Sequence, residues 1–179
     1  MSTQQPTAAP AIHGFGTPEY AEVQDWINLE AHLLDEARFD EWLELVHPSV
    51  VYSMPVRLSV MPKDGMGFRD DMDYYADDFA SLKTRIDRLK TEQAWAEQPG
   101  SRTRHLLTNP LVADHGDGEL QVKAQFLVTR ARADQPADVF SGVRHDVLTR
   151  GEAGRLQVRH RRILLDQSVL KSFNLSILF

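Results

Sequence analysis

The sequence predicts an α+β domain in which one antiparallel sheet curls around an N-terminal helix as an open cone. Apolar residues recur at helical spacing through the first half of the chain. In the second half they alternate with polar residues, and short Gly-, Asp- and Pro-containing turns separate the segments, so the strands follow as consecutive hairpins. Several of these strands reach ten residues or more, long enough that strand twist must curl the sheet. Residues 1–16, rich in Ala, Pro, Thr and Gln, read as a mobile arm, and residues 17–179 as one domain.

Thr17-Pro18-Glu19 starts a helix, with a hydroxyl N-cap, proline at the first helical position and a carboxylate beside the positive helix end. Val23, Trp26, Ile27, Leu33, Leu34 and Ala37 form its apolar face, which Glu30 interrupts. A shorter helix begins at Asp40, carries Trp42, Leu43, Leu45 and Val46, and ends at His47-Pro48. Val50–Met54 reads as a strand stopped or bulged by Pro55. Residues 59–71 are irregular. From Asp73 to Thr91 the spacing of Tyr75, Phe79, Leu82, Ile86 and Leu89 predicts a helix, with acidic residues early and basic residues late, as the helix dipole favours.

After Pro99-Gly100 come the strands: His105 to Val112 or Asp114, Leu120–Val128, Val139–Leu148, Leu156–Leu165 and a last one over Asn174–Phe179. The turns are His115–Gly118, Asp134–Pro136 and Gly151–Gly154.

Composition narrows the function. A net charge of −6 with no basic stripe argues against nucleic acid and against an anionic membrane surface. No apolar run approaches the roughly 18 residues of a membrane span. The chain has no cysteine, which excludes disulfides, thiolate metal sites and thiol nucleophiles and suits a reduced, cytoplasmic compartment. Phosphate-binding loops, nucleophile elbows and zinc-helix motifs are absent, and the seven histidines are scattered, so no metal site is read from this sequence.

An enclosed cone could still hold an acid–base pair, for which the candidates are Asp35, Tyr52, His105 and Asp146. The structural reading of the same residues has Asp35 closing a helix, Tyr52 and His105 as amphipathic strand residues, and Arg144 or Arg150 pairing with Asp146. Arg159, Arg161 and Arg162, with His160, read as solvated or as matched to an acidic partner surface.

Several segments, taken in order, resemble the small β subunit of bacterial aromatic-ring-hydroxylating dioxygenases, the Rieske non-haem iron oxygenases. They include Glu30–Asp35 followed by Phe39–Trp42, Tyr52–Arg57, Arg85–Leu89, Ala94–His105, Asn109, Gly142–Leu148 and Arg162–Asp166 leading to Asn174–Phe179. The resemblance implies the cone-shaped fold shared with nuclear transport factor 2, ketosteroid isomerase and scytalone dehydratase. It also implies assembly with a larger α subunit as an α3β3 hexamer. That α subunit carries the Rieske [2Fe-2S] cluster and mononuclear Fe(II), and is supplied with electrons from NADH through a reductase and often a ferredoxin. The activity implied is addition of O2 to an aromatic ring, usually giving a cis-dihydrodiol. A Rieske centre requires two thiolates, so a chain without cysteine cannot hold one, and a structural, non-catalytic role is expected. A stand-alone isomerase or dehydratase of the same fold is the alternative.

The segment Leu175–Phe179 is unusually apolar for the end of a sequence. Burying four such side chains is worth about 6–12 kcal/mol, enough to hold a segment that entropy would otherwise free. It is expected to pair into the sheet, in the domain core or at a subunit seam, with its carboxylate reaching water or a basic group. Candidate interface residues are Met54, Pro55, Arg57, Trp95, Arg102, Arg104 and Phe179, drawn from segments that match the family.

Overall fold

The computed structural model describes residues 10–61, 63, 65, 67–89, 101–133, 135–170 and 177–179. The expected helix end at Thr91, Trp95 and the start of the expected last strand, 174–176, lie outside the described residues.

Helix α1 (Pro18–Asp35) begins as the sequence indicates: the Thr17 side chain accepts a hydrogen bond from the Tyr20 amide, and Pro18 occupies the first turn. It stops after Asp35, where Ala37 adopts a left-handed φ of 55° and turns the chain into the short α2 (Phe39–Leu43). Strand β2 (Val46–Arg57) follows, and its register slips on both sides of Pro55, the bulge that an imino acid without an N–H imposes.

The helix expected from Asp73 to Thr91 is corrected. Residues Phe68–Asp77 form strand β3, with Tyr75 opposite Met54 on β2, and helix α3 occupies only Phe79–Leu89. Strands β4 (Arg102–Gly116), β5 (Glu119–Ala131), β6 (Asp138–Arg150) and β7 (Leu156–Leu165) form the expected hairpin series. A register shift in β4 between Thr108 and Leu111 accommodates Asn109, with φ 52°, and Pro110. In the last part of the segment read as an arm, Ile12–His13 form a two-residue strand, β1, on β4.

Among the described residues the strands form one curved, open sheet in the order β1-β4-β5-β6-β7-β2-β3. It is mixed rather than purely antiparallel, because β2 runs parallel to β7, pairing Val51, Tyr52 and Ser53 with His160, Arg161 and Arg162. This pair joins the first long strand to the last and bends the sheet round. Gly142 on β6 lies where β7 and a core ring approach closely: a Cβ there would come within 2.1 Å of the Leu164 carbonyl oxygen and 3.0 Å of the Phe126 ring.

Helix α1 lies on the concave face, packing Val23, Trp26, Ile27, Leu33 and Leu34 against inward-facing residues such as Val122, Phe126, Leu148, Val158 and Ile163. Trp26 also donates its indole N–H to the Leu156 carbonyl at 3.0 Å. Ile177, Leu178 and Phe179 are buried in the same core. They are not in a strand, so this part of the expected final strand is corrected: side chains rather than sheet pairing hold these residues.

Candidate functional site

Alternation along β6 and β7 points Arg144, Asp146 and Leu148, and Arg161, Ile163 and Leu165, into the cone. Four charges therefore meet in the interior. Glu30 comes from the apolar face of α1, Arg144 and Asp146 from β6, and Arg161 from β7, all essentially shielded from solvent. Burial of this kind is costly unless charge is balanced and the polar hydrogens find acceptors.

Arg161 meets both conditions. Its Nη1 donates to Glu30 Oε1 at 2.7 Å and to the Phe179 main-chain oxygen at 2.7 Å. Nη2 donates to Glu30 Oε2 at 3.1 Å and Asp146 Oδ2 at 3.0 Å, and Nε donates to Asp146 Oδ1 at 2.9 Å. All of its guanidinium hydrogens are thereby used. Arg144 lies 2.8 Å from both Glu30 Oε2 and Asp146 Oδ2, but out of line for hydrogen bonds, so it contributes charge rather than directed bonding. Two cations thus balance two carboxylates.

Trp42 donates to Glu30 Oε1 at 3.1 Å, and the Trp26 ring lies 5.7 Å from the Arg161 guanidinium carbon. Burial by itself would raise the pKa of Glu30. The adjacent Arg144 and Arg161 outweigh that effect and hold its carboxyl down at about 2.

The candidate acid–base residues all lie around the segment 177–179. The Tyr52 hydroxyl accepts from the Phe179 amide and donates to the Phe179 oxygen, both at 2.9 Å. Asp146 orients Arg161, which donates to the same oxygen. His105 Nε2 lies 2.9 Å from the Leu178 carbonyl, and its Nδ1 lies 2.6 Å from Asp35 Oδ1. Asp35 Oδ2 also accepts from the His105 amide at 3.1 Å, so one carboxylate clamps both ring and backbone. Burial pushes the Asp35 pKa upward, but the His105 hydrogen bonds outweigh it and leave it below the ordinary range. Burial raises the pKa of the Tyr52 hydroxyl, which stays protonated and able to donate.

Sequence reasoning missed three members of this site. Tyr75 lies in a strand rather than a helix, and its hydroxyl donates to the Ile177 carbonyl at 2.6 Å. Glu30 is a charge on an apolar helix face, and Arg161 is buried where a solvated arginine was expected. The available signal was Arg144, Asp146 and Arg161 at inward positions of alternating strands, a charge set that required an internal counter-charge. The expected pairing of Asp146 with Arg144 is present as the close charge contact.

Among the interface candidates, Met54, Pro55 and Phe179 are buried in the chain's own fold. Arg57 is partly exposed, donating to the Leu165 carbonyl at 3.0 Å and lying over the Phe68 ring, and Arg102 and Arg104 are exposed on β4. Beside the Asp35–His105 pair lies a pocket of about 180 Å³, lined mostly by apolar groups including Leu34, Phe39 and Leu178. Among the described residues no group of three His, Asp or Glu could hold a metal ion, and no described helix is long and apolar enough to cross a membrane.

Comparison with known proteins places this architecture. The family model described as "Ring hydroxylating beta subunit" matches residues 29–172. The chain is 36% identical to a benzene 1,2-dioxygenase subunit beta of Pseudomonas putida, over 88% of this chain and 87% of the relative. It is 33% identical to the biphenyl 2,3-dioxygenase subunit beta of Rhodococcus jostii (strain RHA1), with the same coverage. A chain of naphthalene 1,2-dioxygenase superposes with a TM-score of 0.78 at 28% identity, covering 91% of this chain and 88% of that one. A scytalone dehydratase-like structure of Novosphingobium aromaticivorans DSM 12444, with a TM-score of 0.60 at 12% identity, shares the fold alone. With a family match across most of its length and a cone filled by its own residues, this chain belongs to the family of ring-hydroxylating dioxygenase β subunits.

Proposed function

We propose that this chain is the structural, non-catalytic small subunit of a complex that adds O2 to an aromatic ring in aromatic catabolism. The observation that carries the reading is the commitment of the cone's polar groups: Tyr52 and His105 bond residues 177–179 directly, while Asp35 and Asp146 hold His105 and Arg161 in position to do so. The isomerase or dehydratase alternative needs these side chains to face a substrate, and no observation favours it.

The redox groups belong to the partner. A Rieske [2Fe-2S] cluster takes two thiolates that a cysteine-free chain cannot supply, so the cluster and the mononuclear Fe(II) are assigned to an α subunit. In this reading the assembly is an α3β3 hexamer in the cytoplasm, with electrons passing from NADH through reductase and ferredoxin to the α subunit. The exposed Arg102 and Arg104 and the partly exposed Arg57 are the residues through which this chain meets it. In the same reading the other candidates, Met54, Pro55, Phe179 and Trp95, contribute to the interface through the segments that carry them.

Co-expression with a dioxygenase α subunit tests this. The expected result is a brown complex that hydroxylates an aromatic ring and loses activity when this chain is omitted. Charge reversal at Arg57 or at Arg102 and Arg104 is expected to weaken co-purification while leaving the isolated chain folded. Turnover of a ketone or alcohol by this chain alone, at an enzyme-like rate, would overturn the reading.

A further inference from the structure

The way residues 177–179 are held differs from the rest of the fold. Outside its helices, most of the chain is fixed by strand ladders. This segment is fixed by four side chains, one each from β2, β3, β4 and β7, each bonding its main chain. Tyr75 of β3 binds the Ile177 carbonyl, His105 of β4 the Leu178 carbonyl, and Tyr52 of β2 both the amide and the oxygen of Phe179. Arg161 of β7 supplies the fourth contact, again to the Phe179 oxygen.

The Phe179 ring lies among three others: Tyr75 at 6.4 Å, Phe126 at 5.7 Å and Phe140 at 5.6 Å between centroids, edge-on or tilted. These are features of a ligand site: an apolar box that takes one ring, with a few converging polar groups that fix orientation. The polar groups are themselves oriented from behind, His105 by Asp35 and Arg161 by Glu30 and Asp146.

We infer that the cone is a receptor for a short apolar peptide segment carrying an aromatic residue, and that residues 177–179 are its tethered ligand. The receptor reads main-chain amide and carbonyl groups together with one aromatic ring, so a chemically equivalent segment supplied in trans fits it. In the wild-type chain the covalent connection makes binding of its own segment intramolecular, which puts external competitors at a disadvantage. Weakening the Phe179 contact opens the site to an external peptide.

The probe is acetyl-Ile-Leu-Phe, added to the full-length Phe179→Ala chain and to wild type, with thermal unfolding as the readout. The expected result is a lower unfolding temperature for Phe179→Ala that rises saturably with peptide. Wild type should not respond, and acetyl-Ile-Leu-Asp should have no effect on either chain. A Phe179→Ala chain that unfolds at the wild-type temperature, or that stays folded and ignores the peptide at millimolar concentration, would overturn the inference. If Phe179→Ala does not fold alone, recovery of native circular dichroism on adding peptide supports it, and absence of recovery counts against it. Hydrogen exchange on the wild-type chain decides independently. A tethered ligand requires the Phe179 amide to exchange by local release, faster than the amides of β5 and β6. Exchange only at the rate of those strands would mean that the segment is ordinary core.

Discussion

Tyr52 and Phe179 exchange two hydrogen bonds at 2.9 Å, the tyrosine hydroxyl serving at once as acceptor for the amide and donor to the oxygen. Tyr52→Phe keeps the ring and removes both bonds. Arg161 still serves the oxygen, but the buried amide is left without a partner, a cost of about 1–3 kcal/mol. For a chain of this size that lowers the unfolding temperature by about 2–4 °C per kcal/mol. Urea unfolding should show a lower midpoint with an unchanged slope, and an unchanged midpoint would contradict the prediction.

Glu30→Gln keeps the shape of the side chain and removes its charge, leaving Arg144 and Arg161 with Asp146 as their one close carboxylate in the described interior. Breaking a buried pair in this way costs about 3–5 kcal/mol. The pH dependence follows from the depressed pKa. A carboxyl at 4.5 when unfolded and about 2 when folded contributes stability that is present above pH 4.5 and lost as pH falls toward 2. Stability measured from pH 6 to 2 should therefore fall less steeply below pH 4.5 in Glu30→Gln than in wild type.

His145 and His160 act in the same direction at higher pH, because the folded state disfavours their charged form. Burial lowers the pKa of each, and nearby positive groups reinforce it: Lys123 and Arg162 at His145, Arg159 and Arg162 at His160. The unfolded chain therefore takes up protons near pH 6.5 before the folded one does, so these residues make stability fall as pH drops below 6.5. The double variant His145→Gln, His160→Gln should shrink the decrease in unfolding temperature between pH 7.5 and 5.5. An identical decrease in both chains would assign it elsewhere.

Gly142→Ala tests the close approach of β6 to β7. The added methyl group meets the Leu164 carbonyl oxygen and the Phe126 ring, neither of which can move without disturbing β7 or the box around Phe179. The expected cost is at least the 1–3 kcal/mol typical of overpacking. Denaturant unfolding measures it, with Gly151→Ala as a comparison, since the Cβ there meets only the far end of the Gln157 side chain.

The elements legible in the sequence are those whose signal is local. The Thr17-Pro18-Glu19 helix start, the Pro55 bulge and the alternation in β5 to β7 depend on neighbouring residues, and each forms where the pattern places it. The stripe from Tyr75 to Leu89 misleads because two elements share one spacing: Tyr75 faces the core from a strand, while Phe79, Leu82 and Ile86 do so from a helix. The parallel β2–β7 pair joins residues more than 100 positions apart, which no local pattern reports. In the site, Asp35, Tyr52, His105 and Asp146 are legible as polar groups on inward positions. Their common target is not, because it depends on where residues 177–179 pack. Glu30 shows the same limit: it looks like a fault in an apolar face until the strands supply Arg144 and Arg161.

The parallel pairing of β2 with β7 also bears on how the polypeptide can be made. On the ribosome, residues 46–57 emerge well before residues 156–165, so the edge of β2 that meets β7 waits until the residues between them have been translated. During that interval the nascent protein carries an unpaired strand edge, a ready template for mispairing with other chains. Closing so long a loop is also slow in itself. Yield in the cell will therefore depend on chaperone supply and translation rate as well as on the final stability of the fold.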